Sequence, residues 1–497
     1  MNRHTRHDPG TRLTQSLNIT DRFATAHRAL SDVGQEHVLR FYDDLDDAGR
    51  DRLLRQVEAI DWPQIGRLVE SHVRRAPTES LPSTIEPAPW YPNEAPADLT
   101  SKYAEARRIG EQLVRDGRVA AFTVAGGQGT RLGSDDPKGM YPATPLRRLP
   151  LFRCLSEFIL KTQAKYRAVV PWYVMTSPAN DEATRRYFDE QKSFGLDPAN
   201  VMIFPQGMMP AFAPESGRVL LTGPDALALS PNGHGGSLSA LWQSGALDDM
   251  KRRGVEQISY TQVDNPIVRV VDPLFLGLHA ADDCQISSKA VAKTDPGEKV
   301  GVFCRVDGRI AVIEYSDLPR DLAGQRLDSG ALRFSAGSIA IHAIRRDFAE
   351  AINASTGRGL PFHRALKKVS HLDLVSGRTV NPSEPNAVKL EMFVFDALQI
   401  CDRSIVYETD RVDEFAPIKN EDAPNADDSV DSPGTSRAIQ IERVGRWLET
   451  RGVRLPRDDK GRIDASIEIG ALTAIDPDDL KGVALPERVE AGGELLL

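Results

Sequence analysis

A chain of 497 residues is too long for one compact core, so two or three domains are expected. Its 40% hydrophobic and 27% charged residues are ordinary for a globular protein, and a net charge of −9 excludes the basic footprint of a general nucleic-acid binder. Four widely spaced cysteines (Cys154, Cys284, Cys304 and Cys401) form no CxxC pair, which excludes a disulfide framework or a cysteine zinc site and predicts reduced thiols.

The opening MNRHTRHDPGTRL carries charge with no apolar run behind it, so it does not read as a secretory signal. No stretch approaches the roughly 18 continuous apolar residues of a membrane-spanning helix, and a cytoplasmic protein is expected. Residues 1 to about 15 hold too little apolar content to order. From Ala29 to about Arg75 the apolar residues recur at helical spacing: Val38, Leu39, Phe41, Tyr42 and Leu45, then Leu53, Leu54, Val57 and Ile60. Pro77, Pro82, Pro87, Pro89, Pro92 and Pro96 then exclude a long helix and predict an extended linker. Residues 1–105 are thus expected to form a helical N-terminal module with its linker.

Beyond it, strands and helices alternate. Apolar runs at Val119–Ala125, Trp172–Thr176, Val201–Phe204 and Ile258–Val263 are separated by helical patterns at Phe152–Tyr166, Asp181–Phe194 and Leu238–Lys251. Such alternation builds βαβ units, so an α/β domain over residues 106–440 is expected, with a central mixed, mostly parallel, Rossmann-like sheet. From Gln285 to Ile344 short alternating segments with turn signals, such as Val306-Asp307-Gly308, predict an antiparallel excursion. Asn420–Ser436 is polar and acidic and reads as a mobile loop. Residues 441–497 are expected to be a small C-terminal α+β module, with a helix at Arg437–Thr450 leading into short strands.

The densest chemical signal is Ala121 to Pro142, AFTVAGGQGTRLGSDDPKGMYP. An apolar strand runs into Gly126, Gly127 and Gly129, which let the backbone turn sharply and present bare N–H groups to phosphate oxygens. Arg131 and Lys138 add fixed positive charge a few residues on. No Gly-Lys-Ser/Thr closes the run, so it is not a Walker loop, and Leu132 fills the place of the third glycine in a dinucleotide fingerprint. Asp264 ends a later apolar strand, where it can ligate Mg²⁺ or cap the helix that follows. Lys389 and Lys419 each sit among apolar neighbours, an awkward setting for a solvated ammonium.

Further motifs follow in order: GQEHVLRFYDDL near the start, then MTS, FPQGMMPAF, NGHGGSLSAL, YTQVDNP, VGVFCRVDG, IEYSDL, FSAGSIAIH, NAVKLEMFVFD and DEFAPIKN. Together with GGQGTRLG and PKGMYP they resemble the eukaryotic-type UDP-sugar pyrophosphorylase family, most of all its N-acetylglucosamine branch, over residues from about 35 to 440. The resemblance implies a sheet of nucleotidyltransferase type and a Mg²⁺-dependent uridylyltransferase. Such an enzyme makes a UDP-sugar and pyrophosphate from UTP and a sugar 1-phosphate, here N-acetylglucosamine 1-phosphate. Glucose or galactose 1-phosphate is the alternative substrate, and a non-catalytic nucleotide-sugar binder is the alternative class.

Carried over by position, the resemblance places Val124, Ala125, Gly126 and Gly127 against the nucleotide, with Gln206 and the Gly233 backbone on uracil. It sets Arg131, Lys138, Lys389 and Lys419 on the phosphates and Asp264 on the metal. His234, Gly301, Glu314 and Ser338 would contact the sugar. His234 and Ser338 depart from the N-acetylglucosamine branch, which has asparagine at both, and His234 matches the glucose-type enzymes instead. The implied partners are small-molecule substrates, with no nucleic acid and no membrane.

Overall fold

A run apolar at nearly every position, such as Val119–Val124, is stable only when covered on both faces, and it forms an interior strand of a ten-stranded sheet. The computed structural model describes residues 18–75, 84–354, 359–425 and 429–497; the disorder expected at residues 1–15 lies outside them. The sheet comprises β1 (Ile85–Pro87), β2 (Val119–Val124), β3 (Trp172–Thr176), β4 (Val201–Pro205), β5 (Gln257–Gln262), β6 (Ile286–Ala292), β7 (Val302–Val306), β8 (Arg309–Ile313), β9 (Ala336–Arg345) and β10 (Val406–Glu408). Its order is β1-β7-β9-β5-β2-β3-β4, with β6 pairing β9 and β10, and β8 pairing β7. β5, β2, β3 and β4 run parallel, matching the four runs legible in the sequence. The stretch from Gln285 onward is antiparallel as expected, and Asp307 and Gly308 turn β7 into β8 with φ of +47° and +86°.

The helices Leu151–Tyr166 and Asp181–Glu190 fall where their periodicity puts them. The pattern at Leu238–Lys251 breaks into Gly236–Gln243 and Ala246–Arg252, because Gly245 takes φ +77° between them. Thr100–Arg115 crosses Pro273–Ala281 at two glycines: a Cβ on Gly277 would overlap the Ala106 carbonyl, and one on Gly110 the Pro273 carbonyl. Backbone cannot yield as a side-chain tip can. Gly277→Ala is therefore expected to cost at least about 1–3 kcal/mol, seen as a lower urea midpoint with an unchanged m-value.

These elements belong to the larger of two units, Ser80–Gly207, Pro231–Pro361 and Met392–Leu497. The smaller unit is assembled from Met1–Glu79, Met208–Ser230 and Phe362–Glu391. Its helices Ile19–Ser31, Asp47–Glu58 and Trp62–Leu68 bury Leu30, Leu53, Leu54 and Trp62 against Phe212, Leu221, Val388 and Leu390 of the two later stretches. The N-terminal helices thus do not stand as a module by themselves, since one-faced helices need a cover. The proline-rich stretch also differs from a free linker. Pro87 closes β1 at the sheet edge, where a missing N–H costs no ladder bond, and Tyr91 exchanges backbone hydrogen bonds with Val406 and Glu408. Pro77 and Pro82 lie outside the described residues.

The C-terminal stretch lies in the larger unit. Ser432 caps the helix Pro433–Glu449, and the parallel strands Ala465–Glu468 and Gly493–Leu496 follow it around Trp447, Leu448 and Ile467. The acidic loop before it is pinned in its described part. Asn420 Nδ2 donates to the Val430 carbonyl at 3.0 Å, and Asp422 accepts the Gly434 N–H at 2.7 Å. Asp422 therefore acts as a backbone cap and not only as solvated charge; residues 426–428 lie outside the description. All four cysteines are buried and free, and no described helix is long and apolar enough to cross a membrane.

Candidate active site

At the C-terminal end of β2 the chain leaves the sheet through Val124 and Ala125, whose N–H donates to the Met175 carbonyl at 2.7 Å. Asn180 Nδ2 donates to the carbonyls of Ala125 and Gly127 at 3.0 and 3.2 Å, and the Lys138 N–H reaches Gly127 at 3.1 Å. The carbonyls of Ala125 and Gly127 are thereby occupied, while the N–H groups of Gly126 and Gly127 have no protein acceptor among the described residues. That is the polarity an anion cradle requires. A Cβ on Gly126 would sit 2.5 Å from Gln206 Nε2, so this glycine lets the buried Gln206 lie directly on the loop. Leu132 anchors the short turn that carries the exposed Arg131. Gly139 presses on the Phe152 ring and so fixes the turn bearing Lys138. The Lys138 ammonium stands 3.9 Å from the Asp264 carboxylate, both largely buried.

A cavity of about 190 Å³ lies beside this pair and includes Asp264 in its wall. It also gathers His234, Gly301, Glu314, Ser338 and Lys419, residues from widely separated motifs. A bulge makes this possible. Ser288 pairs with His342 but Ala290 pairs with Ser338, so β9 carries two extra residues there, and Ala340 adopts φ +54°. The bulge turns Ser338 to Ile341 toward the cavity. The Ser338 N–H donates to the Gly301 carbonyl at 2.8 Å, and a Cβ on Gly301 would meet Val312 at 2.6 Å and Glu314 at 3.3 Å. Gly301 is thus the residue that admits Glu314 to the wall. His234 follows Gly233 (φ +83°), and its Nδ1 accepts the Val394 N–H at 3.2 Å, with its ring tilted against those of Phe393 and Phe395, which stack on each other. Behind it, burial first and then the charge of His234 push His342 down to about 3, so that ring is neutral.

Lys419 Nζ is 3.2 Å from Asp431 Oδ2 and 5.4 Å over the Phe415 ring, and the preceding Ile418 N–H donates to the Asp264 carbonyl at 2.9 Å. Asp264 and Lys419 are therefore mechanically joined. Lys389 is not in this cavity; it lies in the smaller unit, opposite Ala365 on the hairpin strand Ala387–Glu391.

A buried charge cluster supports both loops and was not read from the sequence. Lys289 is fully buried in β6, 2.6 Å from Asp272 and 2.6–2.7 Å from both oxygens of Glu414. Asn265, next to Asp264, donates to the Glu414 carbonyl at 2.6 Å and accepts the Ala416 N–H at 3.2 Å. Burial drives the Asp272 carboxyl upward, but Lys289 and Arg269 outweigh it and hold it well below the usual range. The available signal was a lysine inside the apolar run ISSKAVA. Asn180, too, was missed; it is the only amide in the PAN turn after β3.

Residues 92–423 match the family model for UTP–glucose-1-phosphate uridylyltransferase. The chain is 35% identical to UDP-N-acetylhexosamine pyrophosphorylase-like protein 1 of Mus musculus, over 86% of this chain and 85% of that one. It is 32% identical to UDP-N-acetylglucosamine pyrophosphorylase of Saccharomyces cerevisiae, over 85% and 90%. Its fold superposes on that of the uridine diphosphate N-acetylglucosamine pyrophosphorylase of Trypanosoma brucei with a TM-score of 0.80 at 24% identity, covering 96% and 98% of the two chains. The chain belongs to the UTP–glucose-1-phosphate uridylyltransferase family of UDP-sugar pyrophosphorylases.

Proposed function

We propose that this enzyme joins UTP to N-acetylglucosamine 1-phosphate, forming UDP-N-acetylglucosamine and pyrophosphate. One observation carries the assignment of the site: six residues from six separate motifs line one cavity beside the glycine loop. A sugar 1-phosphate oxygen attacks the α-phosphorus of UTP, the α–β phosphoanhydride breaks, and pyrophosphate leaves. The attacking phosphate is already ionised, so the site needs no general base; it must align two anions and offset their charge. The glycine loop holds the triphosphate, Gln206 and the Gly233 backbone read uracil, and Arg131, Lys138 and Lys419 balance the phosphates. His234, Gly301, Glu314 and Ser338 hold the sugar.

Among the described residues no group of three His, Cys, Asp or Glu could cage a metal. Asp264 as a lone carboxylate nonetheless suits Mg²⁺, which keeps its waters and takes most other ligands from substrate phosphates. Bound there, Mg²⁺ would neutralise charge on the triphosphate. A cytoplasmic setting suits the four unpaired thiols.

The test is a panel of sugar 1-phosphates incubated with UTP and Mg²⁺, with pyrophosphate release measured. N-acetylglucosamine 1-phosphate is expected to give the highest kcat/KM. Faster turnover of glucose or galactose 1-phosphate would transfer the assignment to those sugars, as His234 would then explain. No release with any sugar would defeat the catalytic reading.

A further inference from the structure

The guanidinium of Arg443 is buried, at 8% exposure, in the helix Pro433–Glu449. Its face stacks on Trp447, one turn later, at 4.6 Å. Its Nε and Nη2 have no hydrogen-bond partner among the described residues. These two donors form one edge of the guanidinium, the fork that grips a carboxylate or phosphate with two parallel bonds. Arg443 lines a cavity of about 70 Å³ whose other walls include Phe158, Ile267, Trp447 and Ile475.

The carboxylates around that cavity are paired with other arginines, although Glu157 Oε2 makes no hydrogen bond among the described residues. Glu157 pairs with Arg153 at 2.9 Å and Arg147 at 3.6 Å, and Glu468 pairs with Arg147 at 2.7 Å. The acids that act on Arg443 from farther off are also taken: Glu414 by Lys289, Asp413 by Arg269, and Asp476 by Lys165. Burial, and then the like charge of Arg269, push the Arg443 guanidinium down to about 10. A buried cation with its recognition edge unused is costly unless something fills the edge.

We propose that this cavity is a binding site for a small molecule bearing a carboxylate or phosphate group, held by the Nε/Nη2 edge of Arg443 with its apolar part against Phe158 and Ile267. The volume also admits roughly two waters, which is the competing occupant. The site is distinct from the sugar cavity, and the segment Pro266–Ile267 that walls it follows directly on Asp264 and Asn265.

The test titrates the full chain with sodium propionate and, separately, with inorganic phosphate at constant ionic strength, reading Tm against a chloride control. A ligand that binds only the folded state raises Tm saturably. At least one of the two anions is expected to do so, and which one identifies the headgroup. Arg443→Lys keeps the charge but not the fork and is expected to weaken that binding at least about tenfold. Arg443→Met is expected to abolish it. Should the Met variant lack a folded circular-dichroism spectrum, the Lys variant decides. No saturable shift with either anion, or the same shift in wild type and Arg443→Lys, would overturn the proposal and leave the fork to water.

Discussion

Lys419→Ala is expected to lower kcat about 10²–10³-fold, the scale for losing one stabiliser of transition-state charge, with a much smaller change in the KM for UTP. The expectation rests on how the residue is held. Its ammonium reaches the cavity that also contains Asp264, and it sits over Phe415, where a charge is only partly hydrated. Its present partner is Asp431, a carboxylate at 3.2 Å on the same acidic loop, and both side chains remain about one-third exposed. An exposed pair of this kind is weak, so the ammonium can exchange Asp431 for a phosphate at little cost. Lys419→Arg should recover part of the rate, because charge is kept while the geometry changes. Steady-state pyrophosphate release by the three proteins checks this, and unchanged turnover in the alanine variant would remove Lys419 from the reaction.

Lys289→Met should destabilise the fold by about 3–5 kcal/mol, because it leaves Asp272 and Glu414 buried without their cation. Equilibrium urea unfolding measures it. The penalty depends on pH in a direction the geometry sets. In the wild type, Asp272 is held below its ordinary value, so its contribution is fully present above the unfolded carboxylate range near ~3.9 and is lost as pH falls below it. In the variant, burial acts on Asp272 with Lys289 gone, and a proton relieves the uncompensated charge. The stability gap between the two proteins should therefore narrow as pH falls, beginning above the ordinary carboxylate value as the variant's carboxyl takes its proton and continuing below about pH 4 as the wild type loses its contribution. A gap independent of pH would mean that packing, not charge, holds this layer.

How much of this could be read from the sequence depends on the range of the interaction. The parallel strands around β2 were legible because burial on both faces leaves continuous apolar runs. The glycine loop was legible because its chemistry is local: three glycines, a leucine anchor and two cations within one turn and the next. The sugar cavity came from the resemblance alone, for nothing near Ser338 announces the bulge that turns Ala340 to φ +54°. Lys289 was hidden for the same reason, since its partners Asp272 and Glu414 lie 17 and 125 residues away in sequence. Short hairpins such as His363–Lys367 with Ala387–Glu391 carry too few alternating positions to reveal the helices they cover.

The interleaved construction of the smaller unit has a consequence for the chain during its synthesis. The helices Ile19–Ser31 to Trp62–Leu68 leave the ribosome early, but Leu372, Val388 and Leu390 of their core are made some 300 residues later. At about 5–20 residues per second that is an interval of roughly 15–60 s. Through it, Leu53, Leu54 and Trp62 have no complete cover, and a chaperone has a hydrophobic helix face to hold. Nascent chains arrested before Phe362 should be cut there by a protease at sites that full-length chains protect.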